Sequence, residues 1–135
     1  MKKKLLITTA IFEVITGILL MAAPLMVVPL LLGEETLGNV SITIGRIAGA
    51  ALISIAIVCW FSRQEPNVYE IVYGLLFYNI AVAVVLFYGR FGLDLEGIGL
   101  VPAIITHIIL TVWCIIVVQK NQAPNKSIPL KKNSL

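Results

Sequence analysis

Charged side chains divide the chain into four long apolar stretches. The 29 residues between Lys4 and Glu34 contain one charged residue, and so do the 27 residues between Glu35 and Arg63. Two later stretches contain no Asp, Glu, Lys or Arg at all. Each stretch can cross a hydrocarbon core of about 30 Å as a helix, which satisfies its backbone polar groups without water. The pattern predicts four transmembrane helices, at residues 5–25, 41–61, 69–89 and 98–119.

Short connections join these stretches and predict an all-α, polytopic membrane protein whose four helices form an antiparallel bundle. The predicted transmembrane domain covers residues 1–119. Pro24 and Pro29 disturb the end of the first span because proline lacks a backbone donor. The segment 24–32 is therefore either a bent continuation of the span or a short segment in the membrane interface. Residues 120–135 are polar and basic, and they predict a flexible cytoplasmic tail.

Composition supports a membrane protein and excludes several other classes. Hydrophobic residues make up 59% of the chain and charged residues 13%, with a mean hydropathy of +1.01. Soluble domains contain about 45–50% apolar and about 25% charged residues. A secreted domain, a nucleic-acid module and a sizeable soluble catalytic domain are excluded. The lipid bilayer is the first expected partner, and nucleic acid is not expected as one.

The distribution of basic residues predicts the orientation. Lys2–Lys4 followed by an apolar run resembles a signal peptide, but the run is longer than an ordinary signal sequence and contains Glu13, so we expect a retained first span. Placing both termini in the cytoplasm puts eight of the ten Lys and Arg residues inside. The positive-inside rule therefore predicts a multi-pass protein of the bacterial cytoplasmic (inner) membrane with cytoplasmic N- and C-termini.

Four polar residues within the predicted spans are candidate functional positions: Glu13, Arg46, Asn79 and His107. A charge at such depth costs roughly 2.5–3.5 kcal/mol on insertion scales, so these side chains are expected to face protein or a cavity. Either Glu13 pairs with Arg46, or Arg46 extends to the outer headgroups while a protonated Glu13 hydrogen-bonds another helix. Asn79 is expected to hydrogen-bond between helices, and a lone His107 is more typical of packing than of haem ligation.

Small residues line one side of the second predicted span. Gly45 and Gly49 form a Gly-x-x-x-Gly pattern that Ala56 continues at helical spacing. Such a stripe permits close approach of another helix. Arg46 adjoins the stripe, which favours its facing protein.

The layout resembles a loose class of uncharacterised four-helix bacterial membrane proteins. The resemblance rests on Phe12-Glu13, Gly17 and Pro24 in the first span, followed by Gly45-Arg46-Ile47-Ala48-Gly49 and a histidine, His107, in the fourth span. It implies the fold and the membrane location, and it implies no activity.

Catalytic and metal-binding patterns are not found in the sequence. No phosphate-binding loop, strained nucleophile or metal-spaced His-Glu pair occurs, and Cys59 and Cys114 lack the C-x-x-C spacing of a redox or metal site. We therefore expect no enzyme activity and predict no cofactor, with haem and quinone left open.

Three functions remain. The leading interpretation is a noncatalytic accessory or structural subunit that packs with copies of itself, as a homo-oligomer, or with a larger membrane complex. The alternatives are a small oligomeric transporter or proton-conducting protein that uses Glu13, Arg46 and His107, and a lipid- or quinone-binding helical bundle.

Overall fold

The protein consists of five helices in the part of the chain that the computed structural model describes, residues 1–34 and 38–122. The predicted all-α class is confirmed, and four of the helices are long and apolar enough to cross a membrane. Residues 35–37 and most of the predicted tail, residues 123–135, lie outside the described residues. The helices are α1 (Lys2–Ala22), α2 (Pro24–Leu32), α3 (Asn39–Ser62), α4 (Tyr69–Gly92) and α5 (Leu100–Gln122).

The first apolar stretch is divided into two helices at Ala23. This residue leaves the helical conformation (φ −135°, ψ 54°), and Pro24 then occupies the first turn of α2, where its missing N–H is not needed. Helix α1 therefore ends three residues before the boundary predicted for the first span. Residues 24–32 form a separate short helix rather than a bent continuation.

The long helices associate chiefly as two pairs. Helix α1 packs along α3, and α4 packs along α5, while smaller contacts between α1 and α5 join the pairs. Lys2 donates to the carbonyl oxygen of Pro66, and Lys120 Nζ lies 3.1 Å from the sulfur of Met1. These contacts bring together one end of the molecule, which we call the proximal end. The opposite, distal end contains α2 and residues 93–99.

Glycines allow α1 and α3 to approach closely. A methyl group added to Gly17 would lie 2.7 Å from the carbonyl oxygen of Gly49, and one added to Gly49 would lie 2.6 Å from the carbonyl oxygen of Gly17. Real Cβ atoms do not approach other atoms this closely. The two backbones therefore meet at a distance that only glycine permits.

The distal end is closed by contacts between α2 and the segment that precedes α5. The backbone N–H of Gly99 donates to the carbonyl oxygen of Leu30 at 2.8 Å. A Cβ atom on Gly97 would overlap with the carbonyl oxygen of Leu31, so glycine is required at this contact. Helix α2 is thus held against the connection between α4 and α5.

Apolar side chains fill the proximal half of the interior and also cover much of the exterior. The interior cluster is Leu5, Leu6, Ala10, Cys59, Val68, Val72, Leu75, Leu110, Cys114 and Val117. Many large apolar side chains point outward from the long helices, among them Ile15, Ile47, Phe77, Val85 and Ile109. A soluble protein rarely exposes such continuous apolar surface.

Candidate functional site

Glu13 is buried in the middle of α1 and is only partly hydrogen-bonded. Its side chain is 1% exposed. The Tyr78 hydroxyl of α4 donates to Glu13 Oε2 at 3.2 Å. The second carboxyl oxygen, Oε1, has no hydrogen-bond partner among the described residues. A buried polar atom without a partner costs about 1–3 kcal/mol, so this oxygen requires an explanation.

Asn79 and His107 form a second buried polar pair, between α4 and α5. Asn79 Nδ2 donates to the carbonyl oxygen of Leu75 at 2.7 Å, which identifies Oδ1 as the acceptor facing His107. His107 Nδ1 lies 2.8 Å from that Oδ1 and therefore carries a proton. In the neutral imidazole, Nε2 is then an acceptor. The network thus fixes the tautomer of His107.

Aromatic rings connect the two polar pairs. The rings of Tyr78 and His107 meet edge to face, with centroids 5.7 Å apart and an interplanar angle of 80°. Phe12, adjacent to Glu13, contacts the same imidazole ring at 6.3 Å and 86°. Edge-to-face packing of this kind stabilises aromatic pairs and restricts ring rotation. The contacts hold Glu13, Tyr78 and His107 in one cluster.

A cavity of about 310 Å³ adjoins this cluster and extends toward the distal end. Leu31 of α2 and Gly99 border it on the distal side, and its other walls come from all four long helices. The residues that line it are mostly apolar, and none of them is Lys or Arg. They are Phe12, Glu13, Thr16, Leu20, Leu31, Leu52, Tyr78, Val82, Leu86, Gly99, Pro102, Ala103, Thr106 and His107.

The side chains on the cavity wall that can donate hydrogen bonds are already engaged within the protein. Each hydroxyl or ring N–H has an acceptor between 2.8 and 3.2 Å away. What remains open is acceptor capacity, on the free oxygen of the carboxyl group and on the unbonded ring nitrogen of the imidazole. The donors are Thr16 to Phe12, Thr106 to Pro102, Tyr78 to Glu13, and His107 to Asn79.

A separate cleft leads along α3 and α4 to the same tyrosine. It has a volume of about 390 Å³ and lies among Ser54, Val58, Gly74 and neighbouring side chains. Tyr78 lines both this cleft and the cavity beside Glu13. Its side chain therefore separates a groove between two helices from the polar cluster.

Three of the four candidate residues that were predicted from their depth in the membrane lie in one region of the structure, and the fourth does not. Glu13, Asn79 and His107 are buried in one region, with Tyr78 between them. Arg46 is exposed, and Glu13 makes its hydrogen bond to Tyr78 instead. The ion pair between Glu13 and Arg46 is absent from the described residues, and the alternative in which Glu13 bonds a neighbouring helix describes the observed contact.

Helix rotation explains the position of Arg46. Gly45, Gly49 and Ala56 are buried on the side of α3 that faces α1 and α2. At about 100° per residue, Arg46 lies roughly 60–100° away from the two glycines. Adjacency in sequence to the small-residue stripe therefore does not place Arg46 on it, and Arg46 is exposed in the single chain.

Tyr78 is the functional candidate that sequence reasoning missed. It is adjacent to Asn79 and lies at nearly the same predicted depth as Glu13, and that shared depth was the available signal.

The described residues contain no group of three or more His, Cys, Asp or Glu side chains placed to hold a metal ion.

Comparison of the chain with protein-family models, with curated proteins and with solved structures found no match.

Proposed function

We propose that this protein is an integral membrane protein that binds a small, membrane-soluble molecule in the cavity beside Glu13. In this proposal α1, α3, α4 and α5 span the bilayer as an antiparallel bundle. The bound molecule has an apolar body, which suits the mostly apolar wall, and a polar group that donates a hydrogen bond. Lipid- and quinone-type molecules with a hydroxyl group belong to this class.

The observation that carries the proposal is the Oε1 atom of Glu13, which has no partner among the described residues although Glu13 is one of the residues that line a cavity. In a bundle whose only task is to pack, this atom is a continuing cost in stability. A donor group of a bound molecule removes that cost. The hydroxyl and ring N–H donors on the wall are engaged, so the carboxyl group of Glu13 is an open polar group that a bound molecule can meet. A hydroxyl group suits it in either protonation state, because a hydroxyl group can both donate and accept.

The proximal core favours binding over proton conduction. A conducting path needs polar groups or water along its whole length, whereas apolar side chains pack tightly on the proximal side of Glu13. Thr9 is the polar residue of α1 nearest in sequence to Glu13 on the proximal side. Its hydroxyl group has no partner among the described residues, so Thr9 does not extend a hydrogen-bonded path from Glu13.

The subunit interpretation draws less support from the glycine stripe than the sequence implied. Gly49 packs against α1 of the same chain, and a Cβ atom added to Gly45 would lie 3.5 Å from side-chain atoms of Pro24 and Val28 of α2. This stripe therefore packs helices within one protein. Packing with further copies or with a larger complex remains a proposal that this contact neither requires nor supports.

The proposal is tested with three probes of nearly equal shape, each a naphthalene ring with one substituent. 2-Naphthylmethanol has a neutral donor, 2-naphthylmethylammonium has a charged donor, and 2-ethylnaphthalene has none. Binding to the full-length protein in nanodiscs is followed by naphthalene fluorescence. We expect the alcohol to bind about tenfold more tightly than the hydrocarbon, as one net hydrogen bond allows.

Two matched substitutions show whether the probe occupies this cavity. Ala103 lines the cavity, and Ala103→Phe fills part of it. Ile105 lies on the outer side of the same helix and is 52% exposed, so Ile105→Phe serves as the control. We expect Ala103→Phe to abolish specific binding and Ile105→Phe to preserve it. Equal binding of all three probes, or binding that survives Ala103→Phe, would refute the proposal.

For location, we propose the bacterial cytoplasmic membrane with both termini in the cytoplasm, because of the distribution of lysines. Both native cysteines are buried, so an introduced cysteine can be labelled selectively. An impermeant maleimide added to intact cells is expected to label Glu96→Cys at the distal end and to spare Lys3→Cys. The reverse labelling would overturn this orientation.

A further inference from the structure

The cavity proposed to bind a ligand has an acid among aromatic rings, in a wall that contains no lysine or arginine. Phe12, Tyr78 and His107 border it, and Glu13 is its single acidic residue. An organic cation is attracted by a carboxylate, and also by the face of an aromatic ring. No lysine or arginine on the wall opposes such a cation. The cavity therefore matches a positively charged donor better than a neutral one.

The described residues around Glu13 supply no cation that could balance a negative charge on its carboxyl group. Arg46 is exposed, and the partner of the carboxyl group is the neutral Tyr78 hydroxyl. An unpaired carboxylate in an apolar interior is far more costly than a carboxylic acid. Since Tyr78 donates to Oε2, the oxygen available to hold the proton of the neutral acid is Oε1.

We propose that the cavity binds an organic ammonium ion, and that binding displaces the proton of Glu13. This inference rests on the proposed binding function and names the chemical class of the ligand. The exchange balances in charge: the neutral acid and the ammonium ion give an ion pair in the cavity and one proton released to solvent. The ammonium N–H groups donate to Oε1 of Glu13 and to Nε2 of His107, the two open acceptors.

The groups around Glu13 are compatible with this exchange. Tyr78 of α4 donates to it, His107 of α5 borders the same cavity, and α3 contributes the buried Cys59 thiol. Leu31 is the residue of α2 on the cavity wall and is apolar. None of these groups supplies a fixed positive charge, so a proton or a bound cation must balance the Glu13 carboxylate.

The same naphthalene series tests the exchange between about pH 5 and about pH 8, where an alkylammonium stays protonated. We expect 2-naphthylmethylammonium to bind about tenfold more tightly than 2-naphthylmethanol, because a charge-assisted contact is stronger. Where Glu13 is protonated, affinity for the ammonium is expected to rise about tenfold per pH unit, while affinity for the alcohol stays constant.

Proton release is measured directly with a pH indicator in weakly buffered solution. We expect one proton for each ammonium bound by the wild-type protein, and none for Glu13→Gln, which keeps the shape of the side chain. The Ala103→Phe variant supplies the correction for probe that merely partitions into the lipid. In Glu13→Gln, the preference for ammonium over alcohol and the dependence on pH are both expected to disappear.

The outcomes separate this inference from the proposal on which it rests. If the alcohol binds in the cavity at least as tightly as the ammonium, the cation proposal is wrong and a neutral-donor ligand stands. Tight ammonium binding without proton release also overturns the exchange, because Glu13 is then already ionised when the cavity is empty. If neither donor binds better than 2-ethylnaphthalene, both proposals fail together.

Discussion

Replacing Gly49 by alanine tests the close contact between α1 and α3 on which the position of Glu13 depends. The added methyl group would lie 2.6 Å from the Gly17 carbonyl oxygen, 2.8 Å from Met21 Cγ and 2.9 Å from the Met21 backbone nitrogen. Two of these three atoms belong to the backbone, so rotation of a side chain cannot relieve the clash. The helices themselves must move apart.

The displacement follows from the same distances. Ordinary van der Waals contact begins near 3.4 Å, so the α1 backbone must retreat by about 0.8 Å at this point in a tightly packed interior. Overpacking of this kind costs typically about 1–3 kcal/mol. We therefore expect Gly49→Ala to lower the free energy of unfolding by about 1–3 kcal/mol.

The matched control is Gly74→Ala. Gly74 also lies within a long apolar helix, but a methyl group added there meets no atom within 4 Å. Unfolding of both variants is measured in mixed micelles by the same SDS titration. We expect Gly74→Ala to remain within about 0.5 kcal/mol of wild type, as surface substitutions usually do. Equal stability of Gly49→Ala and Gly74→Ala would refute the packing of α1 against α3.

Three further substitutions test other contacts by the same unfolding assay. Asn79→Ala removes the acceptor of the His107 ring N–H and is expected to lower the free energy of unfolding by about 1–3 kcal/mol. A double-mutant cycle with His107→Ala that shows no coupling would contradict the pairing of Asn79 with His107. Thr9→Val replaces a buried, unbonded hydroxyl group by a methyl group, so we expect unchanged or higher stability, and a clear loss would imply a missing partner for Thr9. The methyl group of Gly97→Ala would clash with the Leu31 carbonyl oxygen, so we expect α2 to be released from the connection between α4 and α5. Faster proteolysis between α1 and α3 would report this release, and unchanged proteolysis would argue against the contact.

The lengths and types of the long helices could be predicted because charge spacing and hydropathy are properties of the chain alone. The division at Ala23 was visible only as a choice between two alternatives, since Pro24 suits the first turn of a new helix as well as it disturbs an old one. In the folded chain α1 packs against α3, and α2 packs against α3 and α5. These tertiary contacts hold the two helices on either side of Ala23.

The candidate site could be predicted in depth but not in rotation. The distance of each residue from the ends of its predicted span drew attention to Glu13, Asn79 and His107. The fold buries these three side chains in one region. Which helix faces a given side chain depends on how the helices are rotated and paired, and no single-sequence pattern specifies that. Glu13 therefore meets Tyr78 of α4 rather than Arg46 of α3.

The cavity was beyond prediction for a related reason. Its wall combines residues from five helices, and its free acceptors become evident only after each donor has been assigned to an acceptor. Thr16 and Thr106, for example, use their hydroxyl protons on carbonyl oxygens of their own helices. A sequence gives the number of polar groups, whereas only the fold determines which of them remain open.

The most direct test of the binding site is infrared difference spectroscopy of the Glu13 carboxyl group. The band that Glu13→Gln removes identifies this group in the wild-type protein. Because Glu13 lines the cavity and its Oε1 atom has no partner among the described residues, we predict that 2-naphthylmethanol shifts this band by hydrogen bonding and that 2-ethylnaphthalene leaves it unchanged. A band that neither probe shifts, under conditions where the alcohol is bound, would contradict the account.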